Sequence, residues 1–292
     1  MDRRADRRAS RDNITMGLLA ALGVTVCFAI MDALAKLLSQ TYDPFYIVWV
    51  RYMGQAVVTL AVFAPVLGTV ARARRPGLQV VRSTLLLGAT LFFFASFAFL
   101  PLAEVTAIAQ IAPLIITGLA ALVLGEQIGP LRWAAVGAGF IGALIIIQPG
   151  SASFQPAAFL ALCGALSFAM FSIATRFLGS EDSIQTTFFF TGIVGSIFAS
   201  IAVPFVWVVP AMADLPAILA IGVFGAGGQA LLIVAMRYAP ASTVAPLLYV
   251  QLLWSTILGF ALFGDVPGAT TLWGAALIVA AGLFVRLRET RG

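Results

Sequence analysis

The chain has 292 residues, 61% of them apolar and only 10% charged, with a formal net charge of +5. Ordinary soluble domains carry roughly 45 to 50% apolar and about 25% charged residues, so a water-soluble fold is excluded and a polytopic membrane protein is indicated. The basic excess does not point to nucleic acid, because the arginines fall in a tail and in breaks between apolar runs.

The opening stretch MDRRADRRASRD predicts a basic cytoplasmic tail over 1–15. The apolar segment that follows is too long for a cleaved signal and reads as the first span. At about 20 apolar residues per crossing, the chain predicts ten spans: 16–38, 44–67, 78–100, 103–124, 131–148, 156–178, 184–208, 215–237, 241–263 and 270–287. Turn and helix-end residues mark the breaks, among them YDP at 42–44, RRPG at 74–77, GEQIGP at 125–130 and GDVPG at 264–268. The break at 100–103 rests on Pro101 and Glu104. Basic residues concentrate on one side: the tail, Arg72, Arg74, Arg75, Arg82, Arg132, Arg176, Arg237 and the C-terminal arginines. The other side offers essentially Lys36 and Arg51. The positive-inside rule then places both termini in the cytoplasm, in a bacterial inner membrane.

The second half repeats the first. FAIMDALAKLL at 28–38 aligns with FAMFSIATRFL at 168–178, setting Lys36 against Arg176; further on, Gly125 and Glu126 align with Gly264 and Asp265, and Trp133 with Trp273. Five spans per repeat is an odd number, so the second copy enters the membrane inverted. The expected fold is all-α, ten transmembrane helices in two inverted five-helix repeats: 16–148, a linker at 149–155, then 156–287 and a short tail at 288–292. Such repeats suit a midplane site exposed to each side in turn, although duplication could also supply only a stable bundle.

The segments APLIITGLAALVLGEQIGPLRWAAVGAGFIGALIII at 112–147, its partner from 245 to 282, and FFFASFAFLPLAEVTAI at 92–108 resemble the paired repeats of the drug/metabolite transporter superfamily, EamA type. Within it the chain looks most like the aromatic-amino-acid exporters. The resemblance implies export of a small molecule such as an amino acid, by a pathway among the first four helices of each repeat, with the fifth packed outside.

Ionisable groups inside a membrane are costly and mark candidate sites. Asp32 and Arg51 fall at similar depth with Lys36 one turn above Asp32, and the three suit a zwitterion, with a cation for its carboxylate and Asp32 for its amine or a coupling proton; Glu104 is a further possible partner. They equally suit a structural charge cluster with Lys36 snorkelling outward. Gln110, Gln229, Tyr249 and Gln251 form a polar set, and Trp49, Tyr52 and Trp254 could contact an apolar side chain or ring. Pro113 and Pro246 interrupt two equivalent spans and suit conformational weak points. Ala134, Ala138 and Gly142 predict close packing of the fifth span.

No cofactor or metal is expected, since the chain lacks histidine and Cys27 and Cys163 lie within apolar runs. Tyr42-Asp43 and Gly264-Asp265 superficially match intramembrane aspartyl proteases, but both aspartates fall at helix ends, not facing each other within the membrane. No enzyme is therefore expected. The rival substrate class is a small cationic drug, held by Asp32 and aromatic walls. The expected partners are a small molecule and the lipid bilayer, and oligomeric state is left open.

Overall fold

With no water in a bilayer core to satisfy backbone groups, each apolar run must bond within itself, and each folds as a helix. The structure, a computed structural model, describes residues 3–125, 129–178, 181–238, 244 and 247–289. Helix α1 spans Arg3–Leu38; the expected basic tail is thus helical from Arg3 and continuous with the first span. Helix α2 runs Pro44–Phe63 and is prolonged by a 3-10 turn at Ala64–Val66 and an α-turn at Leu67–Val70. Then follow α3 at Pro76–Phe97, α4 at Leu102–Val123 and α5 at Pro130–Ile147. The second repeat gives α6 at Ala158–Leu178, α7 at Ile184–Val206, α8 at Leu215–Tyr238, α9 at Val250–Phe263 and α10 at Ala269–Glu289. Among the described residues, 8 helices are long and apolar enough to cross a membrane, and α9 and the apolar part of α10 are shorter.

Local chemistry sets the ends. Pro44, Pro76 and Pro130 occupy first turns, where a missing N–H leaves no bond unmade. Asp43 caps α2 by accepting from the Phe45 N–H, and Ser183 caps α7 by accepting from Thr186. Helix α4 breaks at Gln110 and Ile111 into Leu102–Ala109 and Ala112–Val123. Pro113 lies just past this break, and its missing N–H leaves the Ala109 carbonyl without an i+4 donor.

The helices pair chiefly across the repeats, and the pairs come in equivalents. Contact of α1 with α8 is matched by α6 with α3; α2 with α8 by α7 with α3; α1 with α9 by α6 with α4. Two pairs, α2 with α7 and α5 with α10, map onto themselves. This is the pattern that a two-fold axis relating the repeats requires. A buried core including Tyr52, Phe94, Leu102, Ile108 and Ile278 joins both repeats, while large apolar side chains such as Phe205, Leu122 and Trp273 cover the outside.

Of the small residues expected to pack α5, Gly142 does so and Ala134 is exposed. A Cβ on Gly142 would stand 2.9 Å from the Gly274 carbonyl oxygen and 2.8 Å from Ile278 Cγ1 of α10, so the two backbones approach as only glycine allows. Gly142→Leu should therefore destabilise the protein by about 1–3 kcal/mol through overpacking. Thermal unfolding of purified protein in detergent would show it as a lowered midpoint.

Candidate functional site

A cavity of about 350 Å³ lies between the repeats, within the range usual for small-molecule sites. Its wall takes Asp32 from α1, Arg51 from α2, Thr90 from α3, Gln110 and Pro113 from α4, Gln229 from α8, and Tyr249 and Gln251 at the start of α9. It extends from this polar level toward the ends of α5 and α6 that carry Arg132 and Arg176. Phe28, Phe93, Phe94, Phe97, Phe168 and Phe171 supply aromatic surface between the polar groups.

Arg51 lies two turns into α2 and is 3% exposed. Its Nη1 donates to Thr90 Oγ1 at 3.1 Å, its Nε faces Met31 Sδ at 3.4 Å, and the guanidinium stacks 4.6 Å from the Tyr52 ring. Thr90 is fixed in turn by donating to the Leu86 carbonyl at 2.9 Å, and the Tyr52 hydroxyl lies 3.3 Å away. Asp32 accepts from Gln251 Nε2 at 3.0 Å, a bond between the repeats. No ion pair within 4.0 Å joins Asp32 to Arg51 among the described residues. A cation and an anion thus face one cavity, each held by neutral partners.

The break in α4 is also tied across the repeats, since Gln110 Nε2 donates to the Leu248 carbonyl at 3.4 Å. Tyr249, aligned with Gln110 in the repeat, packs its hydroxyl end against Gly282 of α10.

Six of the predicted binding residues therefore meet in the cavity: Asp32, Arg51, Gln110, Gln229, Tyr249 and Gln251, together with Pro113. Four lie off its wall. Lys36 pairs with Asp265, not with Asp32 or Glu104, and its Nζ donates to the Leu100 carbonyl at 3.2 Å. Trp49 donates from Nε1 to Ser200 Oγ at 2.9 Å and packs against Tyr46 and Trp207. Tyr52 acts behind Arg51, and Trp254 has its Nε1 buried without an acceptor among the described residues. Pro246 lies outside the described residues.

Sequence reasoning passed over Thr90, the hydroxyl that orients Arg51. Its signal was weak, one of two threonines in an apolar span. It also placed Arg82 at a helix end, whereas that guanidinium is 2% exposed, bonded to Thr175 at 2.9 Å and Thr191 at 3.0 Å, and 4.7 Å from the Phe171 ring. Arg82 joins α3 to α6 and α7 and is a packing residue, because its Nε and Nη1 donate to side chains of those helices and it lies off the cavity wall.

Helices long and apolar enough to cross a membrane, arranged as two repeats around a shared cavity, form a membrane bundle of the kind that suits a transporter. Residues 15–148 and 155–287 each match the EamA-like transporter family, and the chain belongs to that family. It is 25% identical over 266 residues to an S-adenosylmethionine uptake transporter of Rickettsia prowazekii, covering 91% of this chain and 90% of the relative. It is 35% identical over 198 residues to a riboflavin transporter of Rhizobium johnstonii, covering 68% and 66%. A pseudopaline exporter of Pseudomonas aeruginosa is 29% identical over 278 residues, covering 92% and 95%. A solved crystal structure shares the fold, with a TM-score of 0.68 at 19% identity over 95% of this chain and 98% of that one. These relatives are named as transporters of small metabolites, and none of the three is named for aromatic amino acids.

Thr90→Val removes the hydroxyl that Arg51 donates to while keeping its shape. The expected cost is about 2 kcal/mol, as for a lost bond to a charged group; Thr90→Ser should retain most of the stability. Thermal unfolding of the two variants side by side would measure both.

Proposed function

We propose that the protein is a secondary transporter of the bacterial inner membrane that moves small metabolites bearing an amino-acid-type zwitterion, by alternating access. The observation that carries this reading is the separated pair in the cavity: Arg51 and Asp32 face one space without bonding to each other. Arg51 would take the substrate carboxylate, and Asp32 with Gln251 its ammonium. The phenylalanine rings would receive an apolar or aromatic side chain, which favours substrates such as phenylalanine. S-adenosylmethionine, named for the Rickettsia relative, itself carries an α-amino carboxylate, which supports the class.

A cationic drug is disfavoured. Arg51 presents a buried guanidinium to the same cavity as Asp32, and a substrate without a carboxylate leaves that cation unanswered. In our reading the moving units are 16–148 and 156–287, linked by 149–155, with both termini in the cytoplasm. Pro113, at the break in α4, supplies a weak point for that motion, and Pro246 its counterpart in the sequence. A carrier runs in either direction down the gradients it couples, in keeping with relatives named for uptake and for export.

The test is counterflow. Labelled phenylalanine should accumulate transiently in proteoliposomes preloaded with unlabelled phenylalanine, above the level in empty liposomes. Arg51→Met should reduce this by roughly tenfold to a hundredfold, the loss expected of a charge-assisted carboxylate contact. Folded protein that accumulates no phenylalanine but exchanges S-adenosylmethionine would keep the zwitterion and give up the aromatic side chain; exchange of riboflavin alone would overturn the zwitterion, and greater loss in Asp32→Asn than in Arg51→Met would favour a cation.

A further inference from the structure

The cavity stops short of the membrane face that carries Lys36, and what stops it is a compact set of contacts between the repeats. Lys36, at the last turn of α1, pairs with Asp265 in the link between α9 and α10. The same ammonium donates to the Leu100 carbonyl at 3.2 Å and lies 4.9 Å from the Phe263 ring. Asp265 Oδ2 also accepts from the Leu102 N–H at 3.4 Å. One ion pair thereby fastens three segments: the end of α1, the link between α3 and α4 around Pro101, and the end of α9. Beneath it Leu100 and Leu102 are fully buried, and Phe97 and Val105 begin the cavity wall.

The backbone is shaped to deliver Asp265. Gly264 adopts φ 69°, and the Asp265 N–H bonds to the Gly259 carbonyl at 3.1 Å, which ends α9 and turns the carboxylate back toward α1. The lysine is 8% exposed, and its ammonium is held by Asp265 and the Leu100 carbonyl.

We propose that the Lys36–Asp265 pair is the latch of this face, which must part for the cavity to open there and is not itself part of the substrate site. A permanent structural pair at the same place would have no effect on which side the cavity faces. The distinction is open to measurement without knowing the substrate.

In a Cys27→Ala, Cys163→Ala background, Ala109→Cys places one thiol on the cavity wall. Its labelling by an impermeant maleimide is compared in right-side-out and inside-out membrane vesicles. In the parent, labelling should be faster from the face opposite Lys36. Asp265→Asn and Lys36→Met should raise labelling from the Lys36 face, relative to the other, by at least about fivefold. The exchange Lys36→Asp with Asp265→Lys should return it toward the parent. An unchanged ratio in both single variants would overturn the latch.

A second arm covers single variants that fail to fold. Lys36→Cys with Asp265→Cys, joined by a short bifunctional methanethiosulfonate, should lose labelling of the cavity thiol from the Lys36 face, and dithiothreitol should restore it. Equal labelling in the joined and reduced forms would also overturn the proposal.

Discussion

A charge inside a bilayer must be answered by something other than water, and the manner of the answer sorts this protein's buried ions into kinds. Arg82 is met by Gln79, Thr175, Thr191 and the Phe171 ring, all from packed helices. Lys36 is met by a carboxylate and a carbonyl oxygen. Arg51 and Asp32 are likewise met by neutral groups, but both remain on the wall of a cavity that Arg82 does not line. A cation and an anion that share a space yet are held apart by separate scaffolds would, under the proposed function, keep their strongest interaction for a guest. That differs physically from the satisfied arginine one helix away.

Under the proposed alternating access, the inverted repeat lets the scaffolds stay fixed while the cavity changes sides. On the Lys36 face, the Tyr42 hydroxyl donates to Asp214 at 2.7 Å and accepts from the Ala211 N–H at 3.0 Å, tying the α1–α2 link to the α7–α8 link. On the opposite face, Arg75 pairs with Glu181 at 2.7 Å, and Asp182 accepts from the Arg74 N–H at 2.7 Å and from Gln79 at 2.9 Å. The repeat maps one of these links onto the other, and both tethers are made in a single conformation. They hold the α2–α7 side of the bundle together at both ends. The unequal ends belong to α1, α4, α6 and α9, the helices around the cavity.

Much of this was legible in the chain because a membrane leaves few choices. Apolar runs of spanning length must be helices, and an odd number of them per repeat forces inversion, so the architecture followed from counting. The polar residues of the cavity were legible for a related reason: Asp32, Arg51, Gln110 and Gln251 have no business in hydrocarbon without a role. Direction around a helix was less legible. Lys36 stands one turn from Asp32 and invites an i,i+4 pair, yet its partner lies 229 residues away, brought close by a turn whose glycine conformation the sequence only hinted at. Arg82 was misplaced because depth along a span was judged from nearby basic residues, whereas helix α3 begins at Pro76 and carries the arginine well inside. Substrate identity was the least legible, since cavity chemistry follows from a few side chains that relatives with different cargo can exchange.

The energetics of the closed face follow from the same desolvation argument. A pair half-withdrawn from water at the end of the bundle, its lysine buried and its aspartate partly exposed, gains Coulomb energy but loses hydration, and the two largely offset. Such a contact is strong in geometry and weak in net free energy, which suits a closure that must be made and broken repeatedly. A wholly apolar seal of equal area would be harder to reopen, because water would have to enter without compensation. With Lys36 and Asp265 apart, each charge instead finds water in the opening it has created. A substrate then needs only a modest preference for one conformation to shift the balance between faces. The inverted repeat contributes the other half of that balance. The two repeats interdigitate through equivalent pairs, so the packing lost by opening one end is close in kind to the packing gained by closing the other.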